Sequence, residues 1–97
     1  MAKGYWIAHV DVSDAEQYEN YRNYNSLAFE TYGGRFLVRG GASQQREGTG
    51  RARSVVIEFP SYTAAVECYE SEEYQTARAF RLAASQGDIV IVEGYDG

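Results

Sequence analysis

The chain has 97 residues, with 9 Lys and Arg against 14 Asp and Glu for a formal charge of −5, and 44% of its residues are apolar. That balance disfavours disorder and general polyanion binding, and the length is that of one domain, residues 1–97. A single Cys excludes an internal disulfide or a multi-thiolate metal cluster, and the apolar runs are too short to span a bilayer or form a secretory signal.

In chain order, Tyr5–Val12 is rich in aromatic and β-branched residues and predicts a strand, with Trp6, Ala8, Val10 and Val12 on one face and Tyr5, Ile7, His9 and Asp11 on the other. Ser13-Asp14-Ala15-Glu16 reads as a capping box with Ser13 as the cap, opening a helix. Its stripe is Ala15, Tyr18, Tyr21, Asn25, Ala28, Phe29 and Tyr32, and Gly33 follows as a residue able to take positive φ. Arg35–Arg39 predicts a second strand whose two Arg share a face with Leu37, while Phe36 and Val38 point the other way. Residues 42–52 are a polar, Gly-containing loop, and Arg53–Phe59 is a third strand closed by Pro60. Ser61 and Ser71 are the expected caps of one broken helix or two in sequence, ending near Ser85 to Gly87. The last strand is Asp88–Tyr95.

The order β-α-β-β-α-β predicts a ferredoxin-like α+β fold, a four-stranded antiparallel sheet with the helices on one face. The helices are assigned Trp6, Ala8, Val10, Phe36, Val38, Val55, Ile57, Phe59, Val90 and Val92. The uncovered face is then assigned Tyr5, Ile7, His9, Leu37, Val56, Ile89, Ile91 and Tyr95, with Arg35, Arg39, Glu58 and Glu93. Such a face is too apolar for water alone, and a homodimer joined through it, with Arg–Glu pairs setting register, is expected. Nine Tyr, four Phe and one Trp are also many rings for so small a core, which places some at an interface or a pocket.

Charge is uneven: Arg35, Arg39, Arg46, Arg51 and Arg53 stand against Glu47 over residues 34–53, a local +4 that leaves −9 elsewhere. The basic segment either pairs with Glu58, Glu93 or a second subunit, or forms an anion-binding lip. His9, the one histidine, is a candidate proton-transfer group with Arg39 and Glu58, against the alternative of a histidine filling space in the interface. Trp6, Tyr21, Asn25, Arg39 and Glu93 are candidate ligand-binding residues, the first three lining a cleft between helix and sheet. Cys68 reads as an inert core residue. No cofactor or metal site is expected, since the glycines do not sit in a strand-to-helix phosphate loop and one His gives no spaced ligand set. Nucleic-acid binding is not expected either.

Gly4–Ala8, Tyr32–Gly41, Val55–Ser61, Glu73-Tyr74-Gln75 and Val92–Tyr95 together resemble the small bacterial family called domain of unknown function 1330, over essentially the whole chain. The resemblance implies a dimeric α+β barrel, a superfamily that includes small monooxygenases, muconolactone isomerase-like proteins and haem-handling enzymes, and it implies no particular reaction. Members of the family often carry Arg at the place of His9. The functional expectation is a cytoplasmic homodimer, either a cofactor-independent isomerase or monooxygenase-like enzyme acting on a small aromatic, lactone or carboxylate ligand, or a non-catalytic ligand-binding or structural dimer.

Overall fold

The computed structural model describes residues 2–96; Met1 and Gly97, the two ends of the expected domain, lie outside the described residues. The elements are β1 (Gly4–Val12), α1 (Ala15–Thr31), β2 (Arg35–Arg39), β3 (Arg53–Phe59), α2 (Tyr62–Glu70), α3 (Glu72–Ala84) and β4 (Ser85–Glu93). They form one antiparallel sheet in the order β2-β3-β1-β4, with the helices on one face, as expected of a ferredoxin-like α+β fold. No helix among the described residues is long and apolar enough to cross a membrane.

Local chemistry accounts for the element boundaries. Ser61 and Ser71 cap α2 and α3 by accepting from the Ala64 and Tyr74 amides, and Gly33 leaves α1 at φ +76°. The cap of α1 differs from expectation: Asp14 accepts from the Gln17 amide. The Ser13 hydroxyl instead donates to the Ala84 carbonyl at 3.0 Å, tying the start of α1 to the end of α3. The Ser85 hydroxyl closes α3 onto the Arg81 carbonyl, and the chain runs straight into β4 with no loop.

Trp6 organises the core. Its indole N–H donates to the Ala65 carbonyl at 2.8 Å, and its ring lies 4.7 Å from Tyr74, 5.2 Å from Phe29 and 5.5 Å from Phe59. One side chain of β1 therefore contacts all three helices, and edge-to-face geometry with Tyr74 and Phe29 adds to the area it buries.

Two face assignments are corrected. In β4, Ile91 pairs with Trp6 and Ile89 with Ala8, so the isoleucines face the helices, while Val90 and Val92 lie on the open face. Both faces of β4 are apolar, so alternation cannot choose between them, and the larger pair fills the core. In β2, a bulge between Phe36 and Val38 leaves Leu37 as an extra residue, so Val38 pairs with Val56 and Arg39 with Val55. Val38 moves to the open face and Arg39 to the helix-covered one, which inverts the expected placement of both. The open face is thus Tyr5, Ile7, His9, Val38, Val56, Val90 and Val92, with Arg35 and Glu58. Glu93 pairs with Gly4 in line with Ile91, and so leaves that face too. Tyr95 lies past β4 and is 98% exposed, on neither face.

Gly4 begins β1 against the cap of α2, where a Cβ would collide with the Ser61 carbonyl oxygen and lie 2.7 Å from the Tyr62 Cα. Gly4→Ala is expected to lower unfolding free energy by ~1–3 kcal/mol, the usual range for overpacking. Gly41→Ala, with nothing within 4 Å of the new methyl, is expected to change it by less than ~0.5 kcal/mol. Urea unfolding of the two variants checks both, and equal losses would contradict the packing of β1 on α2.

Candidate functional site

A narrow cleft runs between the covered face of the sheet and the helices. Its floor is Trp6, Ala8, Phe36, Val55, Ile57 and Ile89, and Tyr18, Tyr21, Arg22, Asn25 and Phe29 of α1 close it from above. Spacings of three and four place those α1 residues on one side of the helix. Arg39 and Arg53 enter from the sheet and Arg81 from α3. About 30 Å³ of it is open to the centres of water molecules, enough for one or two waters, so a ring enters only if rim side chains swing aside. Arg39 is exposed and Arg22 half-exposed, so both can move without disturbing the core.

The electrostatics of this cleft are one-sided. Its lining holds four arginines and no carboxylate, imidazole or thiol. Arg22 pairs with Glu19 at 3.2 Å, but Arg39, Arg53 and Arg81 have no carboxylate partner among the described residues. The Arg39 guanidinium instead lies 4.0 Å over the Phe36 ring, and that of Arg53 lies 5.6 Å from the Tyr18 ring. Gly40, at φ +73°, makes room for Arg53, because a Cβ there would strike its guanidinium. Burial, then the charges of Arg22 and Arg53, hold the Arg39 pKa below its ordinary value. Buried polar atoms are also left without partners: Nε of Arg22, Nε of Arg53 and Oδ1 of Asn25. An unmade bond of this kind costs ~1–3 kcal/mol; a fourth such atom, Nε of Arg78, lies outside the cleft lining.

Of the inner lining, Tyr21 and Arg81 are joined from behind by Tyr74, which is fully buried and does not itself line the cleft. The Tyr21 and Tyr74 hydroxyls lie 2.9 Å apart, and Arg81 Nε donates to the Tyr74 oxygen at 3.2 Å. Burial, followed by the neighbouring Tyr74, raises the Tyr21 pKa well above 10. Burial raises Tyr74 as well, with Arg81 opposing it. Both phenols are consequently neutral at physiological pH.

The proposed site residues divide between two surfaces. Trp6, Tyr21, Asn25 and Arg39 all line the cleft, and Glu93 does not. His9 and Glu58 are on the opposite side of the sheet, where His9 Nδ1 is 3.2 Å from the Ser54 hydroxyl and Glu58 pairs with Arg35 at 3.0 Å and accepts from Tyr5 at 3.2 Å. Their positions on β3, at Ser54 and Glu58, are four residues or about 13 Å apart. His9, Arg39 and Glu58 therefore do not meet, because the bulge turns Arg39 away. Arg22, Arg53 and Arg81 complete the cleft but are absent from the expected ligand set. Arg81 was findable, since Tyr74, Ala77, Arg81 and Ala84 form the buried stripe of α3.

A second, shallower depression of about 390 Å³ lies beside His9, Asp11, Arg51 and Asp88. Its charges are matched: Arg51 bonds Asp11 at 3.0 Å and Asp88 at 3.1 Å, and the Ala52 amide donates to Asp11 at 2.9 Å. These bonds pin the 40–52 loop to the ends of β1 and β4 and leave no unmet demand for a ligand. No group of three potential metal-ligating side chains occurs among the described residues. Cys68 is buried on α2, where desolvation pushes its thiol up to about 12.

The Ala52 N–H, and then Arg51, lower the Asp11 pKa. A lowered folded-state pKa means that the clamp is complete above the ordinary carboxylate range and is lost as pH falls through the folded value. Protection of the Ala52 amide in hydrogen exchange, corrected for the intrinsic rate, is expected to be flat near neutrality and to collapse below about pH 4. Arg51→Met should reduce it at neutral pH, whereas a wild-type value unchanged at low pH would contradict the clamp.

Residues 3–95 match the family described as "Domain of unknown function (DUF1330)". No curated protein matches the chain. Among solved structures, a protein of unknown function from Rhodopseudomonas palustris is similar at 20% identity and TM-score 0.79, over 99% of this chain and 85% of that one. SnoaB, a cofactor-independent oxygenase from Streptomyces nogalater, is similar at 11% identity and TM-score 0.65, over 100% of this chain and 97% of the other. A dimeric protein of unknown function with a ferredoxin-like fold from Bacteroides fragilis is similar at 13% identity and TM-score 0.54, over 94% and 95% of the two chains. At these identities the likeness is one of fold.

Proposed function

We propose that this chain, which belongs to the DUF1330 family, binds a small planar carboxylate, an aromatic or lactone acid, in the cleft between α1 and the sheet. The observation that carries this reading is the convergence of Arg22, Arg39 and Arg53 on an aromatic floor with no carboxylate in the lining. The guanidinium groups supply charge-assisted hydrogen bonds to the carboxylate, and the rings of Trp6, Phe29 and Phe36 bury its planar body. Where the acid carries a neutral ring hydroxyl, that O–H is placed to donate to Asn25 Oδ1, which is otherwise unpartnered.

The same cleft supports a second reading, a cofactor-independent isomerase or oxygenase of the general kind represented by SnoaB. Tyr21 and Arg81, which Tyr74 links from behind, present a neutral phenol and a cation to the cleft, suited to stabilising an enolate or phenolate of the bound acid. With no carboxylate, imidazole or thiol in the lining, such a reaction uses substrates whose own C–H or O–H is acidic. The absence of a built-in base favours binding without turnover as the primary reading.

The working unit in this proposal is a cytoplasmic homodimer, each chain one domain over residues 1–97. Val38, Val90 and Val92 are exposed on the open sheet face of the single chain, Val90 by 54%, and Tyr5, Ile7 and Val56 lie between them. Covering this face by a second copy removes it from water, with Arg35 and Glu58 among its polar groups.

Benzoate is expected to raise the melting temperature and benzamide, its neutral isostere, is not; Arg39→Met should weaken benzoate binding by about tenfold in titration calorimetry. Equal stabilisation by both compounds would overturn anion recognition. Sedimentation equilibrium should give twice the chain mass of 10.9 kDa, with Val90→Lys shifting it towards one chain. A wild-type monomer at micromolar concentration would end the dimer proposal.

A further inference from the structure

The cleft carries positive charge at two places rather than one. Arg39 stands on the edge strand β2, Arg53 on its neighbour β3, and Arg22 on α1 beside them, as the shared influence of Arg22 and Arg53 on Arg39 indicates. Arg81 belongs to α3, which packs on α1 and meets the sheet at β4, the opposite edge. It is 7% exposed, and its one hydrogen bond to protein is from Nε to the Tyr74 oxygen. A guanidinium carries five N–H donors, so the other four have no protein acceptor among the described residues, although the side chain lines the cleft. None of the nitrogens carrying them is among the fully buried unpartnered atoms, so the free fork opens on the cleft, where an acceptor would make strong, charge-assisted bonds.

The rim arginines stand on β2, β3 and α1 and Arg81 on α3, so cationic groups reach the cleft from different elements. A ring with acidic groups on opposite sides suits that arrangement, one carboxylate held at the rim and the far side of the ring turned towards Tyr21 and Arg81.

We propose that the natural ligand is doubly anionic, a planar acid whose second carboxylate or acidic hydroxyl is received by Arg81 and the Tyr21 hydroxyl. This rests on the carboxylate-binding reading above and narrows its substrate class. Arg81 acts as a specificity residue: it is not needed for the rim carboxylate but selects acids with a second acidic group.

The test compares benzoate with terephthalate by titration calorimetry on the purified full chain. Terephthalate is expected to bind about tenfold or more tightly than benzoate. Arg81→Met, which keeps the side-chain stem, should weaken terephthalate far more than benzoate, bringing the ratio of their affinities to about one, whereas Arg39→Met should weaken both acids and leave that ratio in place. An independent readout needs no variant: 4-hydroxy-3-nitrobenzoate reports ionisation of its phenol by absorbance, and bound to the wild-type protein that phenol should titrate about one unit or more below its free value. If benzoate binds but terephthalate gains nothing, or the bound phenol is unshifted or raised, the two-ended site is overturned while carboxylate binding stands. If neither acid binds, the carboxylate reading fails and this inference falls with it.

Discussion

The fold depends most on the Trp6 indole. Its ring lies against Phe29 of α1 and Tyr74 of α3, and its N–H reaches the Ala65 carbonyl of α2. It thereby sets the position of three helices relative to the sheet from one point in β1. Beyond the ring, the next residue on the same face is the small Ala8, which leaves space between the sheet and the helices. The cleft is that space, and the residue that anchors the core is also part of its floor.

Charge then enters the space from its margins. The bulge at Leu37 adds one residue to an edge strand of five, and its consequence is to turn Arg39 from the open face to the covered one. Arg53 is accommodated by the missing Cβ of Gly40, and Arg81 reaches in from the buried stripe of α3. None of these three finds a carboxylate partner among the described residues, in a chain whose net charge is −5. Acids are abundant, yet none lines the cleft: they sit mainly on the helices, on β3 and β4 as Glu58 and Glu93, and at the loop clamp formed by Asp11, Asp88 and Arg51. Four of the nine cationic side chains line the cleft and none of the acids does, and it is on this asymmetry that the carboxylate proposal rests.

Much of the architecture was legible because local chemistry and global fold agree. Ser61 and Ser71 cap helices where the pattern requires them, Gly33 ends α1 at positive φ, and Trp6, Tyr21 and Asn25 fall on faces that alternation or helical spacing identifies. Legibility failed where two answers are locally equivalent. Ile89 with Ile91 and Val90 with Val92 make equally apolar faces, so only pairing with β1 decides which is buried. A bulge with Leu as its extra residue bears no glycine or proline signal, and every residue beyond it changes face, which dissolved the expected grouping of His9, Arg39 and Glu58. Arg22 was invisible for a different reason: a long charged side chain on a helix is ordinarily solvated, and its burial depends on what the sheet places opposite it.

The central claim is spatial: an organic anion belongs between α1 and the sheet, on the guanidinium side. The most direct measurement is a crystal structure of the protein grown with 4-bromobenzoate, with the bromine located by anomalous scattering. The account predicts the carboxylate among Arg22, Arg39 and Arg53, with the bromine over the Trp6 and Phe29 rings and pointing towards Tyr74. Bromine found in the depression beside His9 and Arg51, on the open sheet face, or at no ordered position would contradict it.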